Sequence, residues 1–271
     1  MEKLIRTVSF CCLVLLITMP VQAQNLKIRA VYDVYFGGFY ILQTVSEFSQ
    51  NKAAYQIKSQ TTTQGTLKFF FDWMGNASSE GIFMNSQAIP NRHSNIGQRA
   101  GKIRLVKLVY DTFGKISYTE IIPPSDPQKV MALPKNAQLG TIDPLSVISQ
   151  LTNNVDSGYG CAGNFLVYDG RRRYDVQVID NGTLNLPKTP YSIFSGPVTA
   201  CKVDYAPLGG QQREQSKYAE TARERIVYVA RPIIGGPTMP VGLIIDTAYG
   251  TITAHLSGLD FLEPELELNP Y

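Results

Sequence analysis

Residues 164–178 read NFLVYDGRRRYDVQV. Asp169-Gly170 is a two-residue turn signal, because a type I′ turn needs positive φ at both central positions. A turn there predicts a hairpin in which Tyr168 opposes Arg171, Val167 opposes Arg172 and Phe165 opposes Tyr174. Side chains alternate across a strand, so one face carries Phe165, Val167, Tyr174, Val176 and Val178. The other carries Asn164, Arg171, Arg173 and Asp175, together with Leu166 and Tyr168. Arg172 joins the apolar face near the turn. Two readings stand for it: a cation at the mouth of a cavity, ready for an acidic head group, or a stem laid on a barrel rim with its charge in water.

Working outward, Cys161 continues the apolar parity, and Cys201 alternates with Val203 and Tyr205 in the same way. Both sulfurs are expected to point inward and to form a disulfide. Closing a loop of about 40 residues would contribute on the order of 3–4 kcal/mol. Two buried thiols are the alternative.

Short strand-like runs recur on both sides of this hairpin: 26–35, 39–48, 54–64, 81–85, 103–110, 115–122, 198–205, 225–231, 241–247 and 251–256. Their turn-length spacing and short linkers favour antiparallel pairing. Residues 122–134, with Pro123, Pro124 and Pro127, read as a long loop. One helix follows it. Asp143 caps, Pro144 fits the first helical position, and Leu145, Ile148 and Leu151 fall on one face. The fold class expected is all-β and mainly antiparallel, a single barrel-like or spiralling curved sheet with one short covering helix.

The first residues read differently. Lys3 and Arg6 precede an apolar run over 10–19, and Val21-Gln22-Ala23 fits a signal-peptidase site. Residues 1–23 are expected to be a secretory signal cleaved after Ala23, leaving residues 24–271 as one β-rich exported domain. The apolar run is shorter than the roughly 20 residues of a membrane span, and no later segment reaches that length. Cys11 and Cys12 lie within the run and leave with it.

The segment Asp143-Pro144-Leu145-Ser146, then Cys161, then Val167-Tyr168-Asp169-Gly170-Arg171-Arg172, then Cys201 with Tyr205 and Pro207, resembles the exported proteobacterial family catalogued as domain of unknown function 3108. The resemblance implies a Gram-negative periplasmic protein built on an antiparallel, barrel-like or spiralling sheet. It brings no agreed activity and no catalytic residues.

Candidate chemistry is sparse. The chain has 2 histidines, and neither His93 nor His255 has a second ligand at metal spacing. His93 reads as part of a polar loop or edge, and His255 as solvated. There is no Gly-x-Ser-x-Gly elbow and no phosphate-cradling loop after Gly209-Gly210. Asp169, Asp175, Asp180 and Asp204 read as turn and strand-surface residues rather than paired catalytic carboxylates. No cofactor or metal is expected. A net charge of +3 leaves no electrostatic footprint for nucleic acid and argues against broad steering to an anionic surface.

Phe69, Phe70, Phe71, Trp73 and Met74 make both faces of their segment apolar. A strand buried on two sides, beneath the helix, is one reading. A hydrophobic lip for an acyl chain or partner is the other. Arg172, Phe69, Phe71 and Trp73 are the candidate contact residues of a non-enzymatic envelope protein holding a hydrophobic or lipid-like ligand. The alternatives are a protein-interaction scaffold using Arg171, Arg173 and the helix surface, and a hydrolase with polar groups inside the barrel.

Overall fold

The computed structural model describes residues 26–213 and 222–262. The proposed signal segment lies outside the described residues. Thirteen strands run in chain order: β1 (Lys27–Phe36), β2 (Phe39–Gln50), β3 (Ala54–Thr63), β4 (Trp73–Met84), β5 (Gln87–Arg99), β6 (Lys102–Tyr110), β7 (Ile116–Ile122), β8 (Gly163–Tyr168), β9 (Arg173–Leu186), β10 (Gly196–Gly209), β11 (Ala222–Ala230), β12 (Met239–Thr247) and β13 (Gly250–Leu262). One helical turn, α1 (Leu67–Phe70), joins β3 to β4, and α2 (Pro144–Asp156) precedes β8. All strands form one antiparallel sheet, ordered β7-β6-β5-β4-β3-β2-β1-β13-β12-β11-β10-β9-β8. The all-β expectation and the helix after Asp143 are both met, and residues 123–141 form the long connection.

The sheet rolls up because α2 needs partners on two sides. Its apolar Leu151 packs with Cys161, Val178, Cys201 and Val229, and Val155 leans on the same cluster. Its polar side meets the opposite wall, where Tyr55 Oη lies 2.7 Å from Ser146 Oγ, and Gln150 accepts from the Ala88 amide. Leu145 and Ile148, expected to be the buried stripe, stay partly exposed, while Ser146, Ser149 and Gln150 are buried. A stripe read from hydrophobicity alone misses a helix wall buried by hydrogen bonding.

The rolled edges overlap as a spiral. Tyr168 has the opposite parity to Val167, so it points away from the α2 side of β8. It packs on Val106, Leu108 and Tyr110, which share the inner face with His93 through the pairing of Leu108 with His93. The outer face of β8 is thus tucked against the inner face of β6. Gly170 is required at this overlap: its φ is +89°, and a Cβ there would overlap Val106. Ile142 covers the edge of β8 through a parallel bridge to Val167.

The hairpin register departs from expectation by two residues. Tyr168 opposes Arg173, Val167 opposes Tyr174 and Phe165 opposes Val176. Instead of a two-residue turn there is a four-residue loop, because the Asp169 carboxylate accepts from the Arg171 and Arg172 amides. A slip of two preserves parity, so Val167 and Val178 are buried on the expected face. Cys161 and Cys201 form a disulfide, with Cα atoms 5.9 Å apart, inside the α2 cluster.

Candidate functional site

Following the ladders places every proposed contact residue at one end of the sheet. Arg173 pairs with Gly209, Ala222 with Thr247, Thr247 with Gly250, and Ile252 with Phe36. Phe36 then pairs with Phe39, Leu42 with Thr63, Met74 with Thr62, Trp73 with Arg99, and Arg99 with Lys102. Arg172, α1, Trp73 and the β5–β6 turn all lie along this rim. The segment around α2 fills the opposite end.

The segment 69–74 is not the strand buried on two sides. Phe69 and Phe70 sit in α1 and are 88% and 86% exposed. Gly65 has φ +57° and turns the chain out of β3 immediately before α1. Both rings face solvent. Phe71 turns back, with the Arg99 guanidinium 3.9 Å from its ring centroid. Trp73 has the parity of the buried Ser79 and so lies on the inner face. Its ring covers Gly75, where any Cβ would overlap it, and stands 3.3 Å from a Cβ position at Gly97. Two facing glycines make room for one indole.

Arg172 is separate from that group. It lies in the β8–β9 loop rather than on a strand, and its Nε donates to Asp169 at 2.8 Å. The pair neutralises the charge that the cavity-mouth reading reserved for a ligand, which favours the rim reading. Burial opposes its charge, yet Asp169 more than compensates and holds the guanidinium above its ordinary value. Nearby, Tyr174 and Tyr205 contact ring to ring, centroids 4.9 Å apart.

The scaffold reading loses its exposed arginines. Arg171 donates to the carbonyls of Leu105, Ile122 and Pro123, tying the loop to β6 and β7. Arg173 is buried and bonds Asp175 at 2.6 Å. Both were expected in solvent, but Arg171 is half-buried against β6 and β7 and Arg173 is buried.

On the inner face, burial fades from the α2 end toward the rim. Ile28, Ala30 and Tyr32 are buried along β1, while Val34 on the same parity is half-buried. Met239 and Val241 are buried on β12, while Leu243 and Ile245 are half-buried. Cys201 is followed on β10 by half-buried Val203 and Tyr205. Helix α2 packs on Cys161, Val178, Cys201 and Val229 and bonds Tyr55 and Ala88, all toward its own end of the sheet, so the half-buried apolar residues at the rim lie beyond those contacts.

The other candidate residues resolve into structure. His93 is no loop residue: it is buried in the middle of β5, its Nδ1 3.2 Å from Asp143 Oδ1. Neither ring nitrogen of His93 makes an aligned hydrogen bond among the described residues. Ser79 and Ser146 donate to the other Asp143 oxygen at 2.9 and 2.5 Å, and the first carboxylate oxygen caps α2 at Leu145 and Ser146. Burial alone would raise the Asp143 carboxyl, but His93 and the Ser146 hydrogen bonds outweigh it and hold it below the usual carboxylate range. A serine, a histidine and an aspartate thus meet in the interior, where all three are buried and serve to fasten the helix. His255, expected in solvent, is half-buried between Tyr35 and Tyr191, and burial lowers its basicity.

Two open clefts of about 360 and 310 Å³ lie beside the 133–139 loop and beside the C-terminus of α2, and neither includes Phe69, Phe71, Trp73 or Arg172. Among the described residues no three metal-binding side chains cluster, and no helix is long and apolar enough to cross a membrane.

The family model described as protein of unknown function, DUF3108, matches residues 31–257. The chain belongs to this family. The matched span runs from the inner residues of β1 through α2 and the disulfide to β13, so DUF3108 coincides with the rolled sheet and its plug. No curated protein matches. Among solved structures, the chain is similar to the beta-barrel-like protein of domain of unknown function DUF1849 from Brucella abortus, at 11% identity and TM-score 0.47, over 88% of this chain and 99% of that one.

Proposed function

We propose that this DUF3108 protein is a non-enzymatic, periplasmic component of the cell envelope that holds a hydrophobic, lipid-like ligand against the uncovered half of its inner face. The observation that carries the reading is the row of half-buried apolar side chains (Val34, Leu42, Leu243 and Ile245) on the parity that is fully buried at the other end. Apolar residues facing inward without a covering element are the ordinary lining of a ligand site. Trp73 and Phe71 border it, and the Arg99 guanidinium lies over Phe71 at its edge. The Asp143–His93–Ser79 group is buried and its carboxylate is taken up in capping α2, which favours binding over hydrolysis.

Trp73 is the single tryptophan of the chain, so its fluorescence reads this surface directly. Delipidated protein titrated with a long-chain fatty acid is expected to show a blue-shifted, saturable change in Trp73 emission. Leu243→Glu should abolish it. Native mass spectrometry of protein drawn from envelope extract supplies the companion test. No co-purifying lipid together with a silent Trp73 would overturn the proposal.

A further inference from the structure

The rim carries a second pattern that ligand holding does not require. Phe69 and Phe70 in α1 are exposed, and Phe39, 72% exposed, opens β2 at the same end of the sheet. The Gln64 amide donates to the Ile41 carbonyl at 2.8 Å, which fixes the α1 segment against the start of β2. Lys68 lies within α1, while Arg99 and Lys102 oppose each other on the adjoining rungs, with Arg104 two residues on. All four cations are exposed, and none has a salt bridge among the described residues. The only acidic side chain in the α1 segment is Asp72. At the opposite end Lys27, Arg29 and Arg231 are matched by Glu47, Asp260 and Asp156.

Two adjacent solvated phenylalanines cost free energy in water unless something covers them. Unmatched cations around them select an occupant that is apolar within and anionic at its surface. We propose that the rim docks on an anionic lipid bilayer, with Phe69 and Phe70 entering the acyl boundary and Lys68, Arg99, Lys102 and Arg104 meeting headgroup phosphates. The near-neutral whole-chain charge is compatible with this, since the attraction is local to one rim and acts within a Debye length. The inference rests on the preceding reading only in that the docked rim is also the mouth of the uncovered inner face.

Protein produced from its full sequence and purified is tested by co-sedimentation with vesicles of phosphatidylglycerol and phosphatidylethanolamine, and with phosphatidylcholine vesicles. Partition onto the anionic vesicles is expected, weakened by 0.5 M salt. Phe69→Ser with Phe70→Ser should reduce it by more than about tenfold, and Lys68→Glu with Lys102→Glu by about tenfold. Phe113→Ser, an exposed ring in the β6–β7 turn, should change nothing. Unchanged urea midpoints keep unfolding out of the comparison. Absence of partition, equal partition onto phosphatidylcholine, wild-type behaviour of the Phe69/Phe70 variant, or an equal loss with Phe113→Ser would each overturn docking. Trp73 emission with monomeric fatty acid separates the proposals: a saturable change without vesicle partition removes docking and leaves ligand holding intact.

Discussion

The two ends of this sheet use the same strands for opposite purposes. At the end held by α2, inward side chains are buried, carboxylates and hydroxyls are mutually satisfied, and a disulfide crosses the cluster. At the rim end the same inner face is half-buried, the Phe69 and Phe70 rings stand in water, and Lys68, Lys102 and Arg104 make no salt bridge among the described residues. A strand pairs equally well along its whole length, so the ladder cannot create this difference. The difference comes from what is laid on the face. One 13-residue helix covers one half, and the buried clusters concentrate there while the other half is left less buried. Substitutions at the two ends should therefore separate stability from binding.

The largest expected effect is at Asp143. Asp143→Ala removes the cap of α2, leaves the Ser79 and Ser146 hydroxyls buried without their shared acceptor, and takes the neighbouring carboxylate from His93. The expected loss is about 3–5 kcal/mol in urea denaturation, as for breaking a buried charged pair from one side. A loss below about 1 kcal/mol would mean that α2 does not hold the sheet closed. Next comes the disulfide. Cys161→Ala with Cys201→Ala should cost roughly 3–4 kcal/mol through the reopened loop, with the sheet retained by circular dichroism.

Acid should act on the same end. The folded-state value of Asp143 lies below its unfolded value, so its contribution is fully present above the ordinary carboxylate range. It is lost as pH falls through the depressed folded value. Urea midpoints of the wild type should therefore fall in acid, and Asp143→Asn should flatten that part of the profile while lowering stability at neutral pH. A parallel acid loss in both proteins would assign the acid sensitivity to other carboxylates.

Much of the helix-covered end was legible in the sequence. Asp143-Pro144 announces a capped helix without reference to the rest of the chain, and the cysteines share a parity with Val178 and Val203 that survives the misjudged turn. The register itself was not legible, because Asp169 has two uses. Next to glycine it suits a tight turn, but its carboxylate also satisfies two amides of a wider loop, and only the crowding against Val106 selects the latter. His93 was hidden for a different reason. The pairing shifts between Glu80 and Gly81, so β5 turns Ala88 and Pro90 inward and then His93, and the bulge breaks the alternation that would reveal a strand. For Phe69 and Phe70 the pattern pointed the wrong way. Consecutive aromatics usually signal burial, and nothing local records that α1 is left exposed among the described residues.

The smallest stability effect should come from those rings, and it is the sharpest test of the division between ends. Phe69 and Phe70 have no place in any of the buried clusters and are almost fully exposed. Replacing both with serine removes apolar surface from water in the folded state without opening a cavity, so the urea midpoint should move by less than about 0.5 kcal/mol. Trp73→Ala sets the contrast a few residues away: it empties the space over Gly75 and Gly97 and should cost about 3 kcal/mol. If the serine pair destabilises as much as Trp73→Ala, the aromatic lip belongs to the core after all, and the rim has no surface to spare for a bilayer. If only Trp73→Ala destabilises, the boundary between structure and contact surface runs through the four residues from Phe70 to Trp73, with Arg99 over Phe71 marking the crossing.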